Sequence, residues 1–320
     1  MPKVSVIIPV YGVEKYIERC ARSLFEQTLD DIEYLFIDDC TPDRSIEVLR
    51  RTLENFPSRK SQVIIHTMER NSGQAAVRKW GVQNAKGEYI IHCDSDDWVD
   101  TKMYETMYES AVKEEADAVI TDYFITDGKN NCKPYKGCVD SDSSRIMDDI
   151  LGQEIHGALW NKLFKRCCYD GTIFPNGNLC EDIAYCVQLL PKCKRITYLN
   201  IPLYYYYSNI HAITKQFSYE KNISNFNNLV ANIRLIERLL SEEKYEGKYS
   251  KEILNLKFNS LLYLFPYVDK NVVYQLLRNT YPENFNDFLF STNTNLFNKL
   301  KYVLSIIRVY PYINRILKRE

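Results

Sequence analysis

The chain has 320 residues, 45% of them hydrophobic and 26% charged, ordinary globular composition with material for one large or two modest cores. Its formal net charge of -1 gives no support to a whole-chain nucleic-acid binder, and ten cysteines without a C-x-x-C pair argue against the common zinc frameworks. The thiols read as reduced, and without a leader-like N-terminus or an apolar run of the ~20 residues a membrane span needs, a cytoplasmic protein with at most peripheral membrane contact is expected.

Residues 3–10 (KVSVIIPV) are β-branched and almost continuously apolar, as a strand buried on both faces of a parallel sheet requires. Over 13–27, Val13, Ile17, Cys20, Ala21, Leu24 and Phe25 share one face while Glu14, Lys15, Glu18, Arg19 and Arg22 fall elsewhere, so a helix follows. The alternation continues with strands over 33–38, 63–68 and 88–93 and helices over 45–56 and 74–84. Such repeats imply right-handed crossovers and a parallel sheet, whose ligands gather beyond the carboxyl ends of the strands. Next come a helix over 103–114, a strand over 118–124 and a polar loop over 127–142. Pairing resumes past Ser143, and residues 220–320 read as helical throughout.

The strand ends carry Pro9-Val10-Tyr11, Asp38-Asp39, Glu69-Arg70-Asn71 and Asp94-Ser95-Asp96-Asp97. Three carboxylates at one strand end repel one another unless a cation offsets them. Mg²⁺ and Mn²⁺ bind through one or two carboxylates, with substrate phosphates and water completing the shell. A polar turn capping the next helix is the competing reading. Asp38 and Asp39 suit hydrogen bonds from a ribose or a base N–H, or equally a helix cap. Gly73 precedes a helix with Arg78 about one turn in, where an arginine contacts phosphate, orients carboxylates or faces solvent. Glu181 and Asp182 open a further helix, a place where the helix dipole favours carboxylates in any case. Trp160 offers either a flat face to a sugar or a core side chain. The Tyr204–Tyr207 run fits a strand with alternate faces buried.

Taken in order, Val4-Ser5-Val6-Ile7-Ile8-Pro9-Val10-Tyr11, Ile37-Asp38-Asp39, Asn71-Ser72-Gly73 with Ala76 and Arg78, and the D-x-D segment Asp94-Ser95-Asp96-Asp97-Trp98 resemble glycosyltransferase family 2. Trp160-Asn161-Lys162-Leu163-Phe164, Phe174-Pro175, Glu181-Asp182-Ile183-Ala184-Tyr185, Pro202-Leu203-Tyr204 and His211-Ala212-Ile213-Thr214 resemble the second half of its capsule and exopolysaccharide members. The resemblance implies an inverting enzyme of the α/β GT-A fold, a Rossmann-like mixed sheet flanked by helices, with a helical C-terminal extension. The domains would be 1–218, catalytic, with a nucleotide-sugar half over 1–124 and an acceptor half over 125–218, and 219–320, helical.

By the same resemblance Pro9, Val10, Tyr11, Asp38, Asp39, Asn71, Gly73 and Arg78 would line the nucleotide-sugar site together with Asp94, Ser95, Asp96 and Asp97. Asp94 and Asp96 would take a divalent metal, Mn or Mg, and a UDP-sugar is the default donor. Asp182 would be the catalytic base and Glu181 its support, with Trp160, Lys162, His211 and Lys215 as acceptor-side or loop candidates. Gly12, Cys40, Lys79 and Asp100 depart from the family's usual residues without touching the carboxylates.

Over 296–317 the apolar residues Leu296, Leu300, Val303, Leu304, Ile307 and Ile313 recur at helical spacing among Lys299, Lys301, Arg308 and Arg315, with Pro311 as an interruption. This stretch suits an anionic membrane face, where a lipid-linked acceptor would reside, or packing on a partner. The rival functions are a sugar-1-phosphate nucleotidylyltransferase, which lacks its glycine-rich basic loop at Tyr11-Gly12-Val13-Glu14, and a non-catalytic nucleotide-binding scaffold.

Overall fold

The computed structural model describes residues 1–129, 131–208, 219–267, 270–290 and 296–307, and it divides into two compact units, 1–212 and 213–320. The first unit opens with β1 (Val4–Val10), α1 (Ile17–Phe25), β2 (Ile32–Asp38), α2 (Ser45–Glu54), β3 (Val63–Thr67), α3 (Gln74–Asn84) and β4 (Tyr89–His92). β1 pairs in parallel with both β2 and β4, and β2 with β3, as the β-α alternation predicts. β1, β2 and β4 are buried almost throughout, which is why they read as continuous apolar runs.

Beyond β4 come β5 (Trp98–Val99), α4 (Met103–Lys113), β6 (Ala118–Thr126), β7 (Cys132–Tyr135), α5 (Ser143–Leu151), β8 (Lys162–Lys165), α6 (Glu181–Leu189) and β9 (Ile196–Tyr207). The sheet runs β3-β2-β1-β4-β8-β6-β9-β5, with β7 paired to β6. It turns mixed past β4, because β8 is antiparallel to both β4 and β6 while β9 is parallel to β6. The expected loop over 127–142 thus contains a strand. β7 is an exposed outer strand carrying Pro134, and with no buried face it has no hydrophobic alternation to betray it.

A contiguous core built from β1, α1, α4 and the inner face of the sheet supports the strand ends. Trp160 belongs to it. One ring face stacks on Tyr204 at 4.4 Å, with Tyr206 at 5.8 Å, and Tyr123 meets it edge-on at 4.8 Å.

The second unit holds α7 (Tyr219–Leu240), α8 (Ser250–Leu262), α9 (Asn271–Asn279), α10 (Phe285–Phe290) and α11 (Leu296–Ile306) around a core of its own that includes Phe226, Phe258, Leu261, Val273, Leu277 and Phe288. The buried Lys257 ammonium is paid for by Glu237 at 2.7 Å and Asn284 at 2.8 Å. Among the described residues, no helix is long and apolar enough to cross a membrane. All ten cysteines are free thiols.

Candidate active site

The carboxyl ends of β1, β2 and β3 meet at Tyr11, Asp38 and Asp39. The register places Val10 opposite Asp38, and the Asp39 N–H donates to the Val10 carbonyl at 3.0 Å. Val10 itself is buried, whereas Pro9 and Tyr11 are half-buried at the mouth. The two aspartates do different work. Asp38 accepts from Thr41 N–H at 2.8 Å and from the Thr67 hydroxyl at 3.2 Å, which folds the turn after β2. Asp39 accepts from Ser72 N–H at 2.7 Å and Gly73 N–H at 2.9 Å, so its two oxygens hold the loop that contains Asn71. Burial raises the Asp39 pKa against those two N–H groups.

The acidic turn after β4 is closed by Asp97 N–H donating to the Asp94 carbonyl at 3.1 Å. Asp97 points inward. Its carboxylate accepts from the Tyr204 hydroxyl at 2.6 Å and Tyr207 N–H at 2.7 Å, and it is 1% exposed. Ser95 is buried as well. Of the four residues expected to face the nucleotide, Asp94 and Asp96 are the ones left partly exposed.

Arg78 joins the donor end to α6. It lies 1% exposed on α3, with one terminal nitrogen 3.1 Å from Asp94 and the other 2.8 Å from Glu181 and bonded also to Asp182. Burial alone would lower its pKa, but Asp182, Asp94 and Glu181 outweigh that and keep the guanidinium charged. One cation faces three carboxylates, so some of them hold protons more tightly than usual. Burial, helped by the Asp182 charge, pushes Glu181 up to about 8, and burial pushes Asp94 up to about 6 against the pull of Arg78. At neutral pH Glu181 therefore keeps its proton. The Asp182 side chain is 22% exposed against 6% for Glu181, so of the two it is the more accessible to solvent.

A second tie comes from residues that carry no sequence signal. Asn178 accepts from Gln74 N–H at 2.6 Å, the Gly177 carbonyl accepts from Ala75 N–H at 3.0 Å, and Gln74 donates to Asp94 at 3.1 Å. The loop before α6 is thereby fastened to the first turn of α3. Cys180 enters α6 in the left-handed region at φ +62°, a strained entry of the kind found where a side chain must be aimed.

Two acceptor-side candidates are buried. Trp160 has its ring enclosed by Tyr123, Tyr204 and Tyr206 and is 2% exposed, so the core alternative holds. Lys162 is fully buried, and its ammonium donates to the carbonyls of His156 at 3.0 Å and Ala158 at 2.8 Å and to Asn161 at 2.9 Å, which makes it a brace for the 156–162 loop. His211 and Lys215 lie outside the described residues.

With this geometry in hand, the model of glycosyl transferase family 2 matches residues 5–164, half of the chain. The chain belongs to glycosyl transferase family 2. Among its curated relatives, glycosyltransferase GlyA of Streptococcus pneumoniae is 28% identical over 64% of this chain. The chain spans only 30% of GlyA's own length. The putative glycosyltransferase EpsH of Bacillus subtilis is 29% identical over 79% of this chain and 73% of EpsH.

Among solved structures, S. aureus TarS 1–349 shares the GT-A fold at TM-score 0.66 and 17% identity, covering 98% of this chain and 91% of that one. The mannosyltransferase PcManGT from Pyrobaculum calidifontis, in complex with GDP-Man and Mn²⁺, matches at TM-score 0.53 and 14% identity, with 96% and 87% covered. Family membership displaces both the nucleotidylyltransferase and the scaffold alternatives.

Proposed function

We propose that this family 2 glycosyltransferase transfers a hexosyl or N-acetylhexosaminyl group from a UDP-sugar to an acceptor hydroxyl with inversion. The observation that carries the reading is the convergence on Arg78 of Asp94, from the donor end, and Asp182, from α6. A TarS 1–349 structure in complex with UDP-GlcNAc supports UDP as the nucleotide. Tyr11, Asp39 and the loop at Asn71–Gly73 would enclose the nucleoside, with Pro9 and Asp38 beneath.

In a single displacement, Asp182 accepts the proton of the acceptor hydroxyl as that oxygen bonds to the anomeric carbon. The anomeric bond to the diphosphate breaks and UDP departs with the electron pair. Arg78 holds the Asp182 carboxylate in place through this step, and Glu181, protonated at neutral pH, spares the site a further negative charge.

Asp94 and Asp96, two residues apart on a turn whose third carboxylate is turned inward, would hold a Mn²⁺ or Mg²⁺ ion beside the donor diphosphate. Among the described residues no group of three or more His, Cys, Asp or Glu side chains is arranged to hold a metal ion, so the metal reading rests on Asp94 and Asp96 and on the family resemblance. When bound, the metal supplies Lewis-acid stabilisation of the leaving diphosphate.

The acceptor would be a surface polysaccharide or lipid-linked glycan, and the enzyme would work at the cytoplasmic face of the membrane. On α11, Tyr302 and Ser305 are buried while Leu296, Phe297, Leu300 and the following Ile307 are exposed, with Lys299 and Lys301 flanking that stripe. An exposed apolar stripe flanked by cations suits an anionic bilayer.

Incubation with a panel of nucleotide-sugars should give Mn²⁺-dependent UDP release from one or a few UDP-sugars, abolished by chelation. Release from GDP-sugars alone, or release indifferent to chelation, would contradict the donor and the metal respectively.

A further inference from the structure

Arg19 and Ser23 on α1, with Gln27 just past the helix end, grip the backbone that follows the acidic turn. Arg19 donates to the Asp96 carbonyl at 2.9 Å, Ser23 accepts from Val99 N–H at 3.2 Å, and Gln27 donates to the Asp100 carbonyl at 2.6 Å. Arg19 is the charged rung, and it is held unusually. Its guanidinium carbon sits 3.7 Å from the centre of the Trp98 ring and 4.8 Å from that of Tyr207, while its Nε is buried without a partner. The Trp98 ring also stacks on Tyr205 at 5.3 Å.

These contacts form a closed frame. Tyr207 both stacks on Arg19 and gives its N–H to Asp97, so the end of β9, the acidic turn and α1 are locked together through one guanidinium. The peptide on the carboxyl side of Asp96 is fixed by Arg19, and the turn is closed by Asp97 N–H on the Asp94 carbonyl.

We propose that Arg19 is a positioning residue that sets Asp96 for divalent-cation-dependent binding of the donor diphosphate. The proposal rests on the metal reading of Asp94 and Asp96. Geometry and charge act here in opposite directions. As a cation beside Asp96, Arg19 disfavours the metal by simple repulsion, whereas as a planar fork stacked on Trp98 and Tyr207 it pre-forms the turn. Arg19→Met removes both effects, and Arg19→Lys keeps the charge while losing the planar fork.

The test is UDP binding by calorimetry across a Mn²⁺ titration, with turnover at saturating Mn²⁺. Positioning predicts that both variants raise the half-saturating Mn²⁺ about tenfold, the scale of one charge-assisted hydrogen bond, while kcat at saturating Mn²⁺ stays within about twofold. Tighter Mn²⁺ dependence in Arg19→Met would overturn the proposal by making Arg19 a mere counter-charge. An unchanged half-saturation with a lowered melting temperature would overturn it by making Arg19 an ordinary core rung. If Arg19→Met does not fold, Arg19→Lys decides by the same criterion. Wild-type UDP binding that ignores Mn²⁺ would instead sink the metal reading, an outcome separate from the two above.

Discussion

Asp182 and Glu181 are adjacent in sequence and equivalent in chemistry, and burial separates them. Glu181, nearly enclosed beside Arg78, has its pKa raised from an ordinary 4.5 to about 8. Between those two values the folded protein holds a proton that the unfolded chain has released, so this group makes stability fall as pH rises. Glu181→Gln mimics the protonated acid and removes the titration. Melting temperature measured from pH 5 to 9 should therefore decline in the wild type relative to Glu181→Gln, and parallel curves would contradict the assignment.

The identities of these carboxylates were legible in the sequence, and the family resemblance named Asp182 as base and Glu181 as its support, but the difference in burial between them was not legible. Asp97 reads as a nucleotide-sugar contact beside Asp94, Ser95 and Asp96, and only the fold brings Tyr204, more than a hundred residues away, to hold it inward. The burial of Trp160 and Lys162 was not legible for a similar reason, since a motif names residue types and says nothing of which face they turn to solvent.

At the scale of elements, β1, β2 and α1 were legible because the strands are mostly apolar and buried throughout and the helix is amphipathic, and β3 and α3 followed from the β-α alternation. β5, only two residues long, and the exposed β7 lack such a pattern, and the antiparallel insertion of β8 between β4 and β6 is set by long-range pairing that no local signal encodes. The junction that matters most for function is the first turn of α3.

Gly73 sits there at φ +85° and ψ 162°, a region essentially reserved for glycine, and a Cβ would lie 2.8 Å from the Asn178 oxygen that accepts from Gln74. Gly73→Ala should thus loosen the loop before α6 and lower turnover by about a hundredfold, the scale of an ångström-sized misplacement. Steady-state kinetics check this, and wild-type turnover would show that the Asn178 tie does not aim Asp182.

The molecule as a whole pairs a catalytic sheet with a helical unit that has its own core, and the proposed division of work follows that boundary. Replacing Leu300 and Ile307 together by Glu should reduce co-sedimentation with vesicles containing anionic lipid severalfold relative to wild type, while UDP release in solution persists. Wild-type protein that ignores such vesicles, or that covers this stripe by forming a dimer in light scattering, would refute the membrane assignment.

The central claim is that donor binding and proton removal reside in different carboxylates on either side of Arg78. It is tested most directly by measuring UDP affinity in Mn²⁺ alongside turnover for Asp96→Asn and Asp182→Asn. Asp182→Asn should bind UDP within about threefold of wild type while turnover falls by ~10²–10⁴, the usual contribution of a general base. Asp96→Asn should lose both. Substantial turnover in Asp182→Asn, or undiminished Mn²⁺-dependent UDP binding in Asp96→Asn, would contradict the account.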